Sequence, residues 1–125
     1  ITHARKLMNA GFKVHLIGGE IKAVTEALVG EEALEQLDKY NFTKGFFGAN
    51  GIDLKRGFTT PDQKEAAVKK KAMEQCQKRY ILSDASKFNV ISTIKFADLK
   101  KAEIITDYLE NKEFKRITNI EEVFS

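Results

Sequence analysis

A chain of 125 residues is long enough to bury one hydrophobic core and too short for two ordinary domains. With 42% hydrophobic and 31% charged residues and one Pro, it reads as a globular chain, neither disordered nor membrane-spanning, since no run approaches the ~20 apolar residues of a spanning helix. Lys and Arg number 21 against 18 Asp and Glu, and the net charge of +3 is too balanced for bulk electrostatics to imply nucleic-acid binding.

The lone Cys76 rules out an internal disulfide, and an unpaired thiol suits a reducing, cytoplasmic setting. Ile1-Thr2-His3 brings no initiator Met and no charged-then-apolar signal segment, so the sequence reads as a fragment.

In chain order, strand-length apolar runs alternate with helical periodicity. Phe12-Lys13-Val14-His15-Leu16-Ile17 predicts a strand that stops at Gly18-Gly19. Ala33, Leu34 and Leu37 form one apolar face of a Glu-rich helix from about Ala27 to Asp38. Phe46-Phe47-Gly48-Ala49 predicts a second buried strand, broken at Asn50-Gly51. Thr60-Pro61-Asp62-Gln63 signals a helix start, with Thr60 as cap, Pro61 in the first turn and Gln63 closing a capping box. That helix is expected to run to about Lys78, with Val68, Ala72 and Cys76 on its apolar stripe. Tyr80–Ser83 and Glu103–Thr106 predict a third and a fourth strand, with a short polar helix around Ala97 to Lys101. Continuously apolar strands separated by helices predict an α/β fold, a mainly parallel sheet covered on both faces.

In such sheets ligands bind outside the carboxyl ends of the strands. Here those ends are Gly18-Gly19, Gly48-Ala49-Asn50-Gly51, Asp84-Ala85-Ser86-Lys87 and Thr106-Asp107, all small or polar. Asp84 can accept hydrogen bonds from hydroxyls, Lys87 can neutralise a phosphate or carboxylate, and Asn50 can both donate and accept. The same residues also serve as ordinary turn formers, and Asp107 equally as a helix cap. His3, His15 and one Cys lack the number and spacing of a zinc site, and His15 within a strand reads as packed or surface-facing. No G-x-S-x-G elbow occurs, and Gly45-Phe46-Phe47-Gly48 is not a dinucleotide fingerprint. Lys69-Lys70-Lys71 reads as a solvated helix face able at most to steer an anion, and Cys76 as core. No metal, cofactor or catalytic residue is assigned.

Several segments together carry a family likeness. Gly18-Gly19-Glu20, Leu28-Val29-Gly30, Phe46-Phe47-Gly48-Ala49-Asn50-Gly51-Ile52, Gly57-Phe58-Thr59-Thr60-Pro61, Glu65-Ala66-Ala67-Val68-Lys69, Asp84-Ala85-Ser86-Lys87-Phe88 and Ile104-Ile105-Thr106-Asp107 follow a recognisable order and spacing. Over nearly all its length the chain resembles the C-terminal effector domain of DeoR-type bacterial transcription repressors.

That resemblance implies a fold related to ribose-5-phosphate isomerase, glucosamine-6-phosphate deaminase and the coenzyme A transferases. It implies a domain that binds a phosphorylated sugar and thereby changes the operator affinity of an N-terminal winged helix-turn-helix, which this sequence does not include. A homo-oligomer is expected, because paired DNA half-sites match a two-fold protein. The expected effector site comprises Asn50, Asp84 and Lys87, with Thr59, Thr60 and Glu65 from the neighbouring loop and helix. The Gly57–Thr60 turn and the Glu65–Lys69 segment look closest to repressors of fructose and related operons, which makes fructose 1-phosphate the first expected effector. Two departures stand out: the family's Asp-x-Gly-Thr-Thr phosphate loop is missing, and His3 stands where family members have Asn. Residues 1–125 are therefore expected to be one truncated sensor domain. The alternative is a sugar-phosphate isomerase-like enzyme with Asp84 or Glu65 as its base, although an isomerase-like fold does not carry activity with it.

Overall fold

The structure, a computed structural model, describes residues 34, 35 and 37–123. The expected strand Phe12–Ile17, the Gly18-Gly19 turn, both histidines and the start of the first expected helix lie outside the described residues; Leu34, Glu35 and Leu37 are helical.

Eight elements follow: β1 (Phe42–Gly48), β2 (Gly51–Asp53), β3 (Gly57–Thr60), α1 (Gln63–Glu74), β4 (Cys76–Ser83), β5 (Ile94–Ala97), β6 (Glu103–Thr106) and β7 (Ile120–Glu122), with short 3-10 turns between the later strands. Four strands form a parallel sheet in the order β1-β4-β6-β7, so the α/β expectation holds. The other three form a small antiparallel sheet, β2-β3-β5.

The core lies between these layers. Ile81 of β4 and Ile104 of β6 sit side by side in register, fully buried with Met73 of α1 and with Phe58 and Phe96 of the small sheet. A second cluster joins Val68 and Ala72 of α1 to Leu37, so the helix seals two apolar groups at once. Each buried side chain of this size stabilises the fold by about 1.5–3 kcal/mol. The opposite face of the parallel sheet carries Lys44, Phe46, Lys78, Tyr80 and Leu82; Phe46 stacks on Tyr80, and Phe46 and Leu82 stand 47% and 42% exposed. Cover on both faces was expected, whereas among the described residues α1 and the small sheet cover one.

Four local expectations are corrected. Asp62, not Thr60, caps α1: its Oδ1 accepts from the N–H groups of Lys64 at 2.8 Å and Glu65 at 3.4 Å. Thr60 is instead the last residue of β3, paired with Ile94 and buried. The helix also stops at Glu74, well before Lys78, because Cys76 and Lys78 pair with Phe42 and Lys44 in the parallel ladder. Cys76 remains a core residue, yet as the first residue of β4, with its Sγ donating to the Ala72 carbonyl. Finally, the helix expected around Ala97–Lys101 is a 3-10 turn, Leu99–Lys101, preceded by β5.

The β2–β3 hairpin turns on Asp53, whose Oδ2 accepts from the N–H groups of Lys55 and Arg56 at 3.0 and 2.9 Å. Gly57 completes it at φ +71°, and a Cβ there would run into the Ala97 carbonyl oxygen. Gly57→Ala is therefore expected to destabilise the protein by about 1–3 kcal/mol through left-handed strain and that clash. In urea the unfolding midpoint should fall while the slope stays unchanged.

Candidate functional site

Because the four strands of the large sheet are parallel, their carboxyl ends share one edge: Gly48 of β1, Ser83 of β4, Thr106 of β6 and Glu122 of β7. The loops leaving that edge hold most of the polar residues singled out from the sequence.

After β1, Ala49 turns into the core and Asn50 faces out. Asn50 is fixed twice, through its N–H donating to the Thr59 carbonyl at 2.9 Å and through the Thr60 hydroxyl donating to its Oδ1 at 3.2 Å. Its side-chain amide N–H groups have no partner among the described residues and remain available. Thr59 and Thr60 are buried, and Thr59 Oγ1 accepts from the Ser92 N–H at 2.9 Å. These two threonines hold Asn50 and the neighbouring loop in place.

After β4, Asp84 caps a 3-10 turn, Ala85–Lys87, accepting from the Ser86 N–H at 2.8 Å and from the Ser86 hydroxyl. The Ser86 hydroxyl, then its N–H, then the charge of Lys87 hold the Asp84 carboxyl below its ordinary pKa. Lys87 is half-buried and makes no ion pair with any described residue. The chain then crosses to the small sheet: Phe88 bridges Ile52, and Asn89, at φ 64°, donates to the Ile52 carbonyl at 2.7 Å. Asn is among the residues that adopt this left-handed conformation most readily.

After β6, Asp107 caps no helix. Its Oδ1 accepts from the Ala85 N–H at 2.8 Å, the Tyr108 N–H at 2.7 Å and the Thr106 hydroxyl at 3.3 Å, tying the β4 and β6 loops together.

Helix α1 adds a residue that the sequence reading set aside as part of a solvated run. Lys69 pairs with Glu65 at 3.1 Å, donates to the Gly48 carbonyl at 2.8 Å and lies over the Phe96 ring. Its side chain is only 16% exposed, whereas Lys70 is exposed and Lys71 pairs with Asp38. The signal was the acid four residues before it, the spacing of a helical ion pair. Glu65 is thereby tethered at the end of β1. The structure thus joins Asn50 with Thr59 and Thr60, Glu65 with the β1 terminus, and Asp84 with Lys87 in one turn. Among the described residues no group of three or more His, Cys, Asp or Glu could hold a metal ion, and no helix is long and apolar enough to cross a membrane.

A family model described as the DeoR C terminal sensor domain matches residues 1–108. A Bacillus subtilis protein named as an uncharacterised HTH-type transcriptional regulator, FruR, is 40% identical over 114 residues, which cover 91% of this chain and 45% of that protein. The HTH-type transcriptional regulator GlpR of Haloferax volcanii is 36% identical over 96 residues, 76% of this chain and 38% of the relative. The lactose phosphotransferase system repressor of Streptococcus mutans is 30% identical over 115 residues, 91% and 45% respectively. The chain spans less than half the length of each of these curated relatives.

A carboxyl whose folded pKa lies below its unfolded one contributes stability that is complete above the unfolded pKa and is lost as pH falls through the folded value. For Asp84 that window lies on the acid side of the ordinary carboxylate range. Carbon-13 NMR of the side-chain carboxyl should show Asp84 titrating below that range. Ser86→Ala should raise its midpoint more than Lys87→Ala does, following the order of the causes.

Proposed function

The chain belongs to the family of DeoR C-terminal sensor domains, and from that premise we propose that residues 1–125 form an effector-sensing domain of a sugar-operon repressor that binds a phosphorylated sugar. The observation that carries the reading is Lys87, a cation without an ion-pair partner among the described residues, held in a fixed turn at the carboxyl edge of the parallel sheet. In this reading Lys87 meets the phosphate, while the Asn50 amide and the second carboxylate oxygen of Asp84 meet sugar hydroxyls. Thr59, Thr60 and Glu65 keep the surrounding loops and helix in position.

Fructose 1-phosphate is the first effector to test, from the likeness of the Gly57–Thr60 and Glu65–Lys69 segments to repressors of fructose operons. Operator DNA would be contacted by a winged helix-turn-helix outside this sequence, in a homo-oligomer whose two-fold axis matches paired half-sites. The effector switches such a repressor only by favouring one of its arrangements; equal binding to both shifts nothing.

The role is regulatory. An isomerase would need a carboxylate base tuned towards neutrality, whereas the hydrogen bonds on Asp84 depress its pKa and make it a weak proton acceptor. Glu65 is occupied by Lys69.

The test is a thermal-shift titration against hexose and pentose phosphates, since a ligand that binds only the native state raises the melting temperature. One sugar phosphate should stabilise the protein, and Lys87→Ala should raise its half-saturating concentration at least about tenfold, equivalent to about 1.4 kcal/mol. An unchanged titration in that variant removes Lys87 from the site. Turnover of the sugar phosphate that Asp84→Asn abolishes would replace the regulator reading with the isomerase one.

A further inference from the structure

The amino edge of the parallel sheet, opposite the edge described above, carries an open groove of about 440 Å³ whose walls include Lys78, Arg79, Lys100, Lys101, Glu103 and Asn119. Parallel pairing assembles it: Lys78 and Arg79 lie near the start of β4, Glu103 opens β6, Asn119 precedes β7, and Lys100 and Lys101 come from the 3-10 turn that leads into β6. Four cations face one carboxylate. That is a local excess of three positive charges.

Pairing separates these cations from five other lysines, although Lys55, Lys70 and Lys87 outside the groove are likewise without an ion pair among the described residues. Lys69, Lys71, Lys95, Lys112 and Lys115 all make ion pairs with Asp or Glu. Lys78, Lys100 and Lys101 make none with any described residue, and Arg79 spends one N–H on the Met73 carbonyl at 3.1 Å. Asp98 feels the charges of Lys100 and Lys101 but gives its ion pair to Lys95. Glu103 accepts from the Asn119 side chain at 3.0 Å. Beside Lys78 in register stands Lys44, and like charges directly opposite on neighbouring strands are destabilising. Four cations gathered at one edge against a single carboxylate form a surface complementary to an anion.

We propose that this groove holds the phosphodiester backbone of double-stranded DNA. The form of the cluster selects a polyanion. Lys78, Lys100 and Lys101 are exposed, and a single exposed ammonium–phosphate pair is screened and contributes little, so a free phosphate monoester reaching one or two of them is held weakly. A duplex presents a phosphate every ~1.7 Å of helix axis, and each one neutralised releases condensed counterions, so several exposed cations act together. Lysines meet phosphates as point charges, which makes the contact independent of sequence.

The experiment is fluorescence anisotropy of the protein with a short labelled duplex of arbitrary sequence, titrated at several salt concentrations. The wild type should bind with a steep fall in log affinity against log salt. The double substitution Lys100→Gln with Lys101→Gln should weaken binding at low salt at least about tenfold and flatten the slope by about two. Lys55→Gln with Lys70→Gln removes the same charge from exposed positions outside the groove and should leave affinity and slope unchanged, provided both variants retain the wild-type melting temperature. Equal losses in the two pairs, no duplex binding by the wild type, or full displacement of the duplex by inorganic phosphate at equal charge concentration would each overturn the proposal. Duplex binding and the sugar-phosphate titration are read separately, so either can fail while the other stands.

Discussion

Parallel pairing of β4 between β1 and β6 is the constraint on which the remaining features depend. Parallel strands cannot be joined by tight turns, so each return trip needs a crossover of a dozen or more residues. The crossover from β1 to β4 contains β2, β3 and α1; the one from β4 to β6 contains the Ala85–Lys87 turn, β5 and the Leu99–Lys101 turn. From β6 the chain reaches β7 through the Lys112–Arg116 turn, which buries Phe114 against Phe88 of the preceding crossover. Every crossover leaves from the carboxyl edge and comes back at the amino edge. Turn-forming Asn, Asp and Ser therefore gather with Lys87 at one end of the sheet, and Lys78, Lys100 and Lys101 lie at the other.

At the carboxyl edge, order is imposed by hydrogen bonds that cross between loops. Asp107 holds the start of the β4 loop, Thr59 holds its end through Ser92, and Ile52 holds its middle through Asn89. Fixing a backbone residue costs about 1–2 kcal/mol of conformational entropy, so loops ordered before a ligand arrives leave more of the contact energy for binding. Lys69 contributes in the same way. Largely removed from solvent, its ion pair with Glu65 is screened less than exposed pairs such as Lys95 with Asp98, and its bond to the Gly48 carbonyl fixes the end of β1 to the helix.

The two central strands of the large sheet were legible because Tyr80-Ile81-Leu82 and Glu103-Ile104-Ile105 are apolar runs of strand length, and strands buried in a parallel sheet read that way, whereas the three-residue β7 was not expected. The small sheet escaped notice for a physical reason. Its strands have three or four residues, too few for a period of two to register, and Gly51-Ile52-Asp53 and Gly57-Phe58-Thr59-Thr60 look like turn chemistry until tertiary pairing makes them strands. The helix boundaries slipped for a related reason. Thr60 and Asp62 are both good caps, and the choice between them was made by the pairing of Thr60 with Ile94. At the other end, the four-residue spacing of Val68, Ala72 and Cys76 continued past the point where ladder pairing with β1 ended the helix. In the site, strand ends revealed Asn50, Asp84 and Asp107, but not which side chains were already engaged. Lys69 was hidden because a run of three lysines reads as one surface, while only the middle one, Lys70, is exposed and without an ion pair among the described residues.

The two proposed sites are far enough apart to limit how they can communicate. Lys78 and Asp84 are separated by most of β4, roughly 20 Å at the usual rise of an extended strand. That is about twice the screening length at physiological salt, so the charge of a sugar phosphate at Lys87 has little direct effect on a DNA phosphate near Lys78. Coupling would have to be mechanical, through an element with two arrangements that both ligands bias. β4 is not such an element: it is paired on both sides, and Ile81 at its centre is fully buried in a shared core, where packing resists gradual deformation. A sliding strand would break two ladders at once. If the ends respond to one another, the moving part must therefore be the crossovers, or the way this domain sits against another domain or another copy of itself, with the parallel sheet as the rigid frame for both.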